Sequence, residues 1–251
     1  MTSAQRRFHT AGTYFASGDF ERSEAAGREL WDAGIRTPGL SALLGEILLL
    51  RNRPAEADPL LERAVIAQGG TPRLLALLAE SRRRSGDLAA AALLYRQLGR
   101  GGLADKLTLL ADSGQYLFPA GAEIQVPWPC HSELPLVEAR VNGTAGHFLL
   151  DTGVGETLID PALARVAGLR PLGVEAIHLP SGPAGRVEHT VIDALGLGEV
   201  SVERVPAHVH PTRDVFANLL PFQVDGILGV GLFSRIPTTL DYVGRQLRMG
   251  A

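Results

Sequence analysis

Two stretches of this 251-residue chain carry side chains that could do chemistry. In His147-Phe148-Leu149-Leu150-Asp151-Thr152-Gly153 an apolar run leads straight into an acid, a small hydroxyl residue and a glycine. A carboxylate at the end of a buried strand is costly unless it is paired or hydrogen-bonded. Thr152 can bond locally, and Gly153 lets backbone N–H groups come close to the acid. A carboxylate held in this way is a candidate general acid or base. In His208-Val209-His210 the alternate spacing puts both imidazoles on one face of a strand, as a metal pair would require. No carboxylate or cysteine adjoins them in the sequence, so they read as a strand edge before Pro211 and no metal is expected. Residues 226–231 read Gly-x-x-Gly-x-Gly, the wrong order for a dinucleotide loop, and no cofactor is expected. Trp31 and Trp128 read as packing residues, and His147 as an exposed polar position.

The elements that would position Asp151 can be read around it. Leu136–Val141, a turn at Asn142-Gly143 and the strand leading to Asp151 form a hairpin. Downstream, Asp160 is placed to cap a helix whose first position is Pro161, running over 162–167 and ending near Gly168. From Gly121 onward the chain is written in short Val/Ile/Leu segments punctuated by Gly and Pro, which is β text. Residues 1–117 are instead rich in Ala, Leu, Arg and Glu, which favours helix. The charge follows the same division, +2 over 1–117 and −5 over the remainder. Residues 118–133, rich in proline, read as a linker or lead-in, and 134–251 as the second domain.

The helical half repeats. Gly18-Asp19-Phe20, Asn52-Arg53-Pro54 and Gly86-Asp87-Leu88 each break a helical pattern at intervals of 34 residues. Small residues recur with the same period before the break (Ala11, Gly45, Ala79) and after it (Ser23, Ala57, Ala91), followed by Leu30, Ala64 and Leu98. Small residues on facing helices allow close antiparallel packing. This period resembles tetratricopeptide (TPR) repeats over about residues 4–103, with a closing helix over 103–114. Pro54 suits a first helical turn, whereas Pro59 is expected to kink or delay the fourth helix. Such an array implies either a concave surface for a peptide or partner protein, or a spacer or dimer-forming platform with no ligand of its own.

Composition narrows the rest. Hydrophobic residues are 45% and charged residues 20%, enough apolar material for a core and unlike a disordered chain. A net charge of −3 gives no basic field for nucleic acid. The single cysteine, Cys130, excludes an intrachain disulfide. Apolar runs such as 47–50 are far too short to span a bilayer. No apolar segment follows the basic residues near the start, so a cytoplasmic location is the expectation.

Leu149-Leu150-Asp151-Thr152-Gly153, followed by Thr157-Leu158-Ile159, resembles the catalytic loop and next strand of single-lobe, retropepsin-like aspartic proteases. Asp225-Gly226-Ile227-Leu228-Gly229 before Leu232-Phe233 resembles that family's backing motif, with Ile227, Leu228 and Gly229 behind the loop. Leu240-Asp241-Tyr242 with Arg245-Gln246-Leu247 resembles the final hairpin of bacterial members. The likeness covers about 134–250 and departs from the pattern at Val154, Gly155 and the glycine-rich 229–231. It implies an all-β, single-lobe acid-protease barrel with one or two short helices behind an all-α array, an α+β multidomain chain. It also implies an aspartic endopeptidase with Asp151 catalytic and Thr152 and Gly153 shaping its loop. Asp160, Asp193, Asp214, Asp225 and Asp241 are not followed by Thr/Ser-Gly, so the resemblance implies a homodimer in which two copies of Asp151 meet. A flap follows from the same likeness: strands 175–179 and 186–192 around a tip of Pro180, Ser181, Gly182, Pro183, Ala184 and Gly185. Segment 211–224 is expected over the cleft or the dimer interface. The other reading is a catalytically silent scaffold that binds peptide or protein, and a third is an enzyme confined to its own chain, nicked within 118–135.

Overall fold

The computed structural model describes residues 2–128, 134–177, 185–220 and 222–250. It forms two compact units, Met1–Leu107 and Thr108–Ala251. The first is built of helices α1 (Ser3–Ala16), α2 (Phe20–Asp32), α3 (Pro38–Leu50), α4 (Pro54–Gln68), α5 (Pro72–Ser85) and α6 (Leu88–Gln97). Helix α7 (Gly101–Ser113) runs across the boundary.

The 34-residue period has a local cause. Gly18, Asn52 and Gly86 all take positive φ, at 80°, 54° and 89°, and each turns the chain from one helix into the next. Asp19 and Asp87 then cap the following helices by accepting the N–H of Arg22 and of Ala90. The small residues sit where the paired helices touch. Ser23 Oγ donates to the Ala11 carbonyl at 2.7 Å, and a Cβ on Gly45 would stand 2.6 Å from the Leu61 side chain. Ala79 and Ala91 are fully buried. Three helix pairs of this kind are consistent with TPR-like repeats. The fourth helix is not delayed: α4 begins at Pro54 and continues through Pro59. A proline there removes one backbone hydrogen bond near the helix start, while buried Leu61 and Ala64 hold the rest of α4 in place.

The second unit contains β1 (Glu123–Pro127), β2 (Leu136–Val141), β3 (Thr144–Asp151), β4 (Thr157–Ile159), helix α8 (Pro161–Val166), β5 (Gly173–Ile177), β6 (Gly185–Leu197) and β7 (Val200–Val209). Helix α9 (Thr212–Phe216), β8 (Gly226–Gly229), helix α10 (Val230–Phe233), β9 (Thr238–Asp241) and β10 (Gln246–Gly250) complete it. Seven strands lie in the order β2-β3-β8-β4-β7-β6-β5, and β2 also pairs with β6, which closes the sheet into a barrel with short helices around it. A separate sheet, β1-β10-β9, joins Glu123 to Gly250. Strand β1 lies within the proline-rich lead-in: Ile124 and Val126 alternate inward, and Pro127 is its last residue.

Two local signals are realised residue by residue. Asn142 and Gly143 both have positive φ (47° and 86°), as a two-residue hairpin turn between β2 and β3 demands. Asp160 caps α8 by accepting the Ala162 N–H at 2.9 Å.

The barrel sheet has two unlike faces. Phe148, Leu150, Ile159, Ile192, Ala207 and Leu228 point into the main core. On the opposite face Leu149 joins Leu136 and Val224, covered by Phe216, Leu220 and Phe222 from segment 211–224.

One partly buried acid in the helical unit gives a pH signature. Burial alone would raise the pKa of Glu80, but hydrogen bonds and charge from Arg83 and Arg84 outweigh it and hold the carboxyl at about 2. A carboxyl depressed in the folded state stabilises above its unfolded value and loses that contribution as pH falls toward its folded value. Glu80→Gln should therefore lower unfolding stability by about 2 kcal/mol at neutral pH, and the difference from wild type should shrink between pH 4.5 and 2 in denaturant titrations.

Candidate active site

Asp151 is the last residue of β3, opposite Gly229 of the parallel strand β8. Its side chain is exposed, and Oδ1 accepts the Gly153 N–H at 2.8 Å. A Cβ on Gly153 would lie 3.1 Å from that oxygen, so glycine gives the amide its close approach. Among the described residues no cation pairs with Asp151.

The loop after Asp151 is pinned by its own backbone. The Val154 carbonyl accepts the Val230 N–H at 2.7 Å, and the Gly155 carbonyl accepts the Gly231 N–H at 2.9 Å. This crossing leaves no room for side chains beneath it. A Cβ on Gly229 would lie 2.6 Å from the Val154 oxygen and 2.7 Å from that of Glu156. On Gly231 it would lie 2.7 Å from the Gly155 oxygen and 2.5 Å from the Tyr116 hydroxyl. The glycine-rich stretch is thus a steric requirement of this loop. Ile227, Leu228 and Gly229 form β8 between β3 and β4; Leu228 enters the core, and Ile227 faces the other way, opposite Leu149.

Asp160 and Asp225 belong to an ion group completed by Arg213, which no sequence motif marks. Asp225 is buried; its Oδ2 accepts the His147 N–H at 2.9 Å, and its Oδ1 accepts from Arg213 Nη2 at 2.7 Å and from Gln223. Asp160 Oδ2 accepts the Arg213 N–H at 3.0 Å, and its own N–H donates to the Asp225 carbonyl. One arginine thereby ties the cap of α8 to the start of β8 and the middle of β3. The side chain of His147 is about half exposed, as expected.

A second polar group lies on the sheet face that carries Asp151. His189 Nε2 meets Glu175 Oε2 at 2.8 Å, and His189 Nδ1 meets His208 Nε2 at 3.0 Å. That His208 nitrogen stands 3.5 Å from Glu156 Oε2. The expectation of a plain strand edge at His208 misses this group, because its members come from separate strands. Among the described residues no three His, Cys, Asp or Glu side chains are arranged to hold a metal ion.

Strands β5 and β6 pair as far as Ile177 and Gly185, the latter being the first residue of β6. The remainder of the expected flap tip, Pro180, Ser181, Gly182, Pro183 and Ala184, lies outside the described residues, as does Cys130.

Residues 137–232 match the family model described as aspartyl protease, an interval that begins in β2 and ends in α10 and so contains the whole Asp151 loop with its backing strand. The match lies wholly within the second unit, which over those residues is similar to aspartyl proteases. Its elements follow the order expected of single-lobe, retropepsin-like members. A solved structure titled a retropepsin-like aspartic protease from Rickettsia conorii is 16% identical, covering 54% of this chain and 96% of that one with a TM-score of 0.37. No curated protein matches the chain.

Crowding under the loop is testable. Gly229→Ala should destabilise the protein by about 3 kcal/mol through overpacking, and urea unfolding should register it. In the same variant, amide exchange at Val230 and Gly231 should accelerate, since their partners on the loop must move away.

Proposed function

We propose that the protein is an aspartic endopeptidase active as a homodimer, with one Asp151 from each chain at the two-fold axis. The observation that carries the reading is the free presentation of this carboxylate: exposed at a strand end, fixed by one backbone N–H and paired with no cation among the described residues. Two such acids brought together cannot both ionise, so the pair shares a proton. One carboxylate then takes a proton from water as it attacks, while the other, protonated, polarises the scissile carbonyl. A single copy cannot divide these roles, which is why the reading requires two chains. Thr152 and Gly153 shape the loop around each acid. The substrate is a peptide or protein, and the helical half recruits it or a partner.

Asp151→Asn should reduce cleavage of a peptide library by about 10³-fold. In an equal mixture of wild type and this variant, after subunit exchange, about one quarter of all dimers should be wild type in both chains if chains pair at random, so activity at constant total protein should fall to about one quarter. Activity that falls only in proportion to the wild-type fraction would show that each chain acts alone. Equal cleavage by Asp151→Asn and wild type would leave the domain as a silent peptide-binding scaffold.

Val154 has a further consequence. A serine hydroxyl at this position could donate to the carboxylate and favour its charged form, whereas valine cannot. The pH–rate profile should therefore peak nearer neutrality than that of a digestive acid protease, and Val154→Ser should move its acid limb to lower pH. A wild-type optimum near pH 2 would contradict this.

A further inference from the structure

The helical unit holds a cleft that the chemistry at Asp151 does not use. Glycines set its walls. A Cβ on Gly27 would stand 2.7 Å from the Leu44 side chain, and one on Gly45 2.6 Å from that of Leu61. Helices α2 and α4 therefore each settle closely on α3, and a space of about 310 Å3 remains between them. Arg28 and Trp31 of α2 form one wall, Glu56 and Leu60 of α4 the other, and buried Leu44 and Leu48 of α3 the floor. Trp31 and Leu60 are only half-buried, so apolar surface stays open to solvent. The volume lies at the lower end for a ligand pocket and takes one or two side chains, not a folded element.

Both ends of the cleft are positively charged. At one end two acids meet three arginines. Glu24 accepts from Arg28, Arg51 and Arg53 at 2.7, 2.7 and 2.8 Å, and Glu56 from Arg53 at 2.6 Å and Arg28 at 3.4 Å. At the other end Arg36 lies over the Trp31 ring at 4.0 Å from its centroid, and Arg63 stands 5.9 Å from the same ring. These two guanidiniums donate to carbonyls, Arg36 to those of Trp31 and Ile35 and Arg63 to that of Arg36. Neither is paired with a carboxylate among the described residues. The acid beside Arg63 in sequence, Glu62, is turned to Arg82 at 2.8 Å. The two ends are separated by about 10 Å, the rise of α4 from Glu56 to Arg63. Three residues of extended chain cover about the same distance. A single-headed amphiphile would neutralise one end and leave the other without an anion. A peptide can place an acid on each side of an apolar residue.

We infer that this cleft docks an extended segment of a protein partner in which one large apolar side chain, leucine or phenylalanine, has acids on both sides. The apolar side chain enters between Trp31 and Leu60. One acid meets Arg36 and Arg63, whose forked N–H groups suit a carboxylate. The other meets the arginine-rich end beside Arg28 and Arg53. The cleft deepens the recruiting role proposed for the helical half and rests on that reading; it does not rest on Asp151 being catalytic.

The test uses the full chain carrying Asp151→Asn, so that no probe is cut, labelled with 15N-tryptophan. Of the two indole N–H signals, Trp31→Phe identifies that of Trp31. The probes are acetylated nonapeptides of glycine and serine with a central phenylalanine between two pairs of aspartates. One control has alanine at the centre, and another has lysines for the aspartates. The phenylalanine–aspartate peptide should saturate the protein and move the Trp31 signal, binding about tenfold more tightly than either control. Arg36→Glu with Arg63→Glu should weaken it about tenfold and strengthen binding of the lysine peptide. Leu60→Trp, which fills the cleft, should abolish binding while circular dichroism shows the helices intact. Binding of none of the peptides, or equal binding of the phenylalanine and alanine forms, would overturn the proposal. Binding that leaves the Trp31 signal unmoved and survives Leu60→Trp would overturn the cleft and leave the recruiting role to another surface. A Trp31 signal that moves with protein concentration alone would put a second copy in the cleft, and one that moves equally with decanoate would put an amphiphile there; either overturns the peptide site. If wild type cleaves no peptide at any pH, the endopeptidase reading fails, and these binding data still decide the cleft.

Discussion

A carboxylate can stand exposed at a strand end in a fixed position only if the strand that carries it is anchored elsewhere. Here the anchor is the parallel pairing of β3 with β8. Leu150 and Leu228 place one face of both strands in the core, so the position of Asp151 is set by apolar packing at its neighbour. The loop that follows then has one course, over Gly229 and Gly231, where backbone meets backbone with no Cβ between. Its carbonyls satisfy the first N–H groups of α10, and an orphaned helix start and an irregular loop resolve each other. Among the described residues the Asp151 side chain is held by one backbone N–H, that of Gly153, and paired with no cation.

The sheet keeps its two faces chemically distinct. One is almost wholly aliphatic and aromatic. The other carries a small apolar cluster around Leu149 with polar groups on either side: Asp160, Arg213 and Asp225 towards one end, and the histidine group across the strands beyond. Buried charges are tolerated on this face because each has a partner in reach. Segment 211–224 serves both groups. It supplies Arg213 to the ion cluster and Phe216 and Leu220 to the apolar one.

What could be read from the chain alone was local. Asn142-Gly143, Asp160-Pro161 and the glycines and asparagine spaced 34 apart act within a few residues of themselves, so type and spacing suffice. The small positions of the helical array were legible because a repeat shows the same packing requirement three times. The delay expected at Pro59 does not occur, since its neighbours Leu61 and Ala64 hold a helix that proline alone would disfavour. The lead-in reading of 118–133 passed over the alternation of Ile124 and Val126 because prolines surround it. Arg213 and the group from Glu175 to Glu156 were invisible for another reason. Their partners lie on different strands, and only register brings them together.

The pairing of Glu123 with Gly250 has a consequence for biosynthesis. Contacts within the helical array are between neighbours in the chain, so it can assemble while translation continues. Strand β10 lies between β1 and β9, and that sheet cannot be completed until Gln246–Gly250 has left the ribosome. The emerging polypeptide thus presents a finished helical platform before the sheet joining the two ends of the other unit exists.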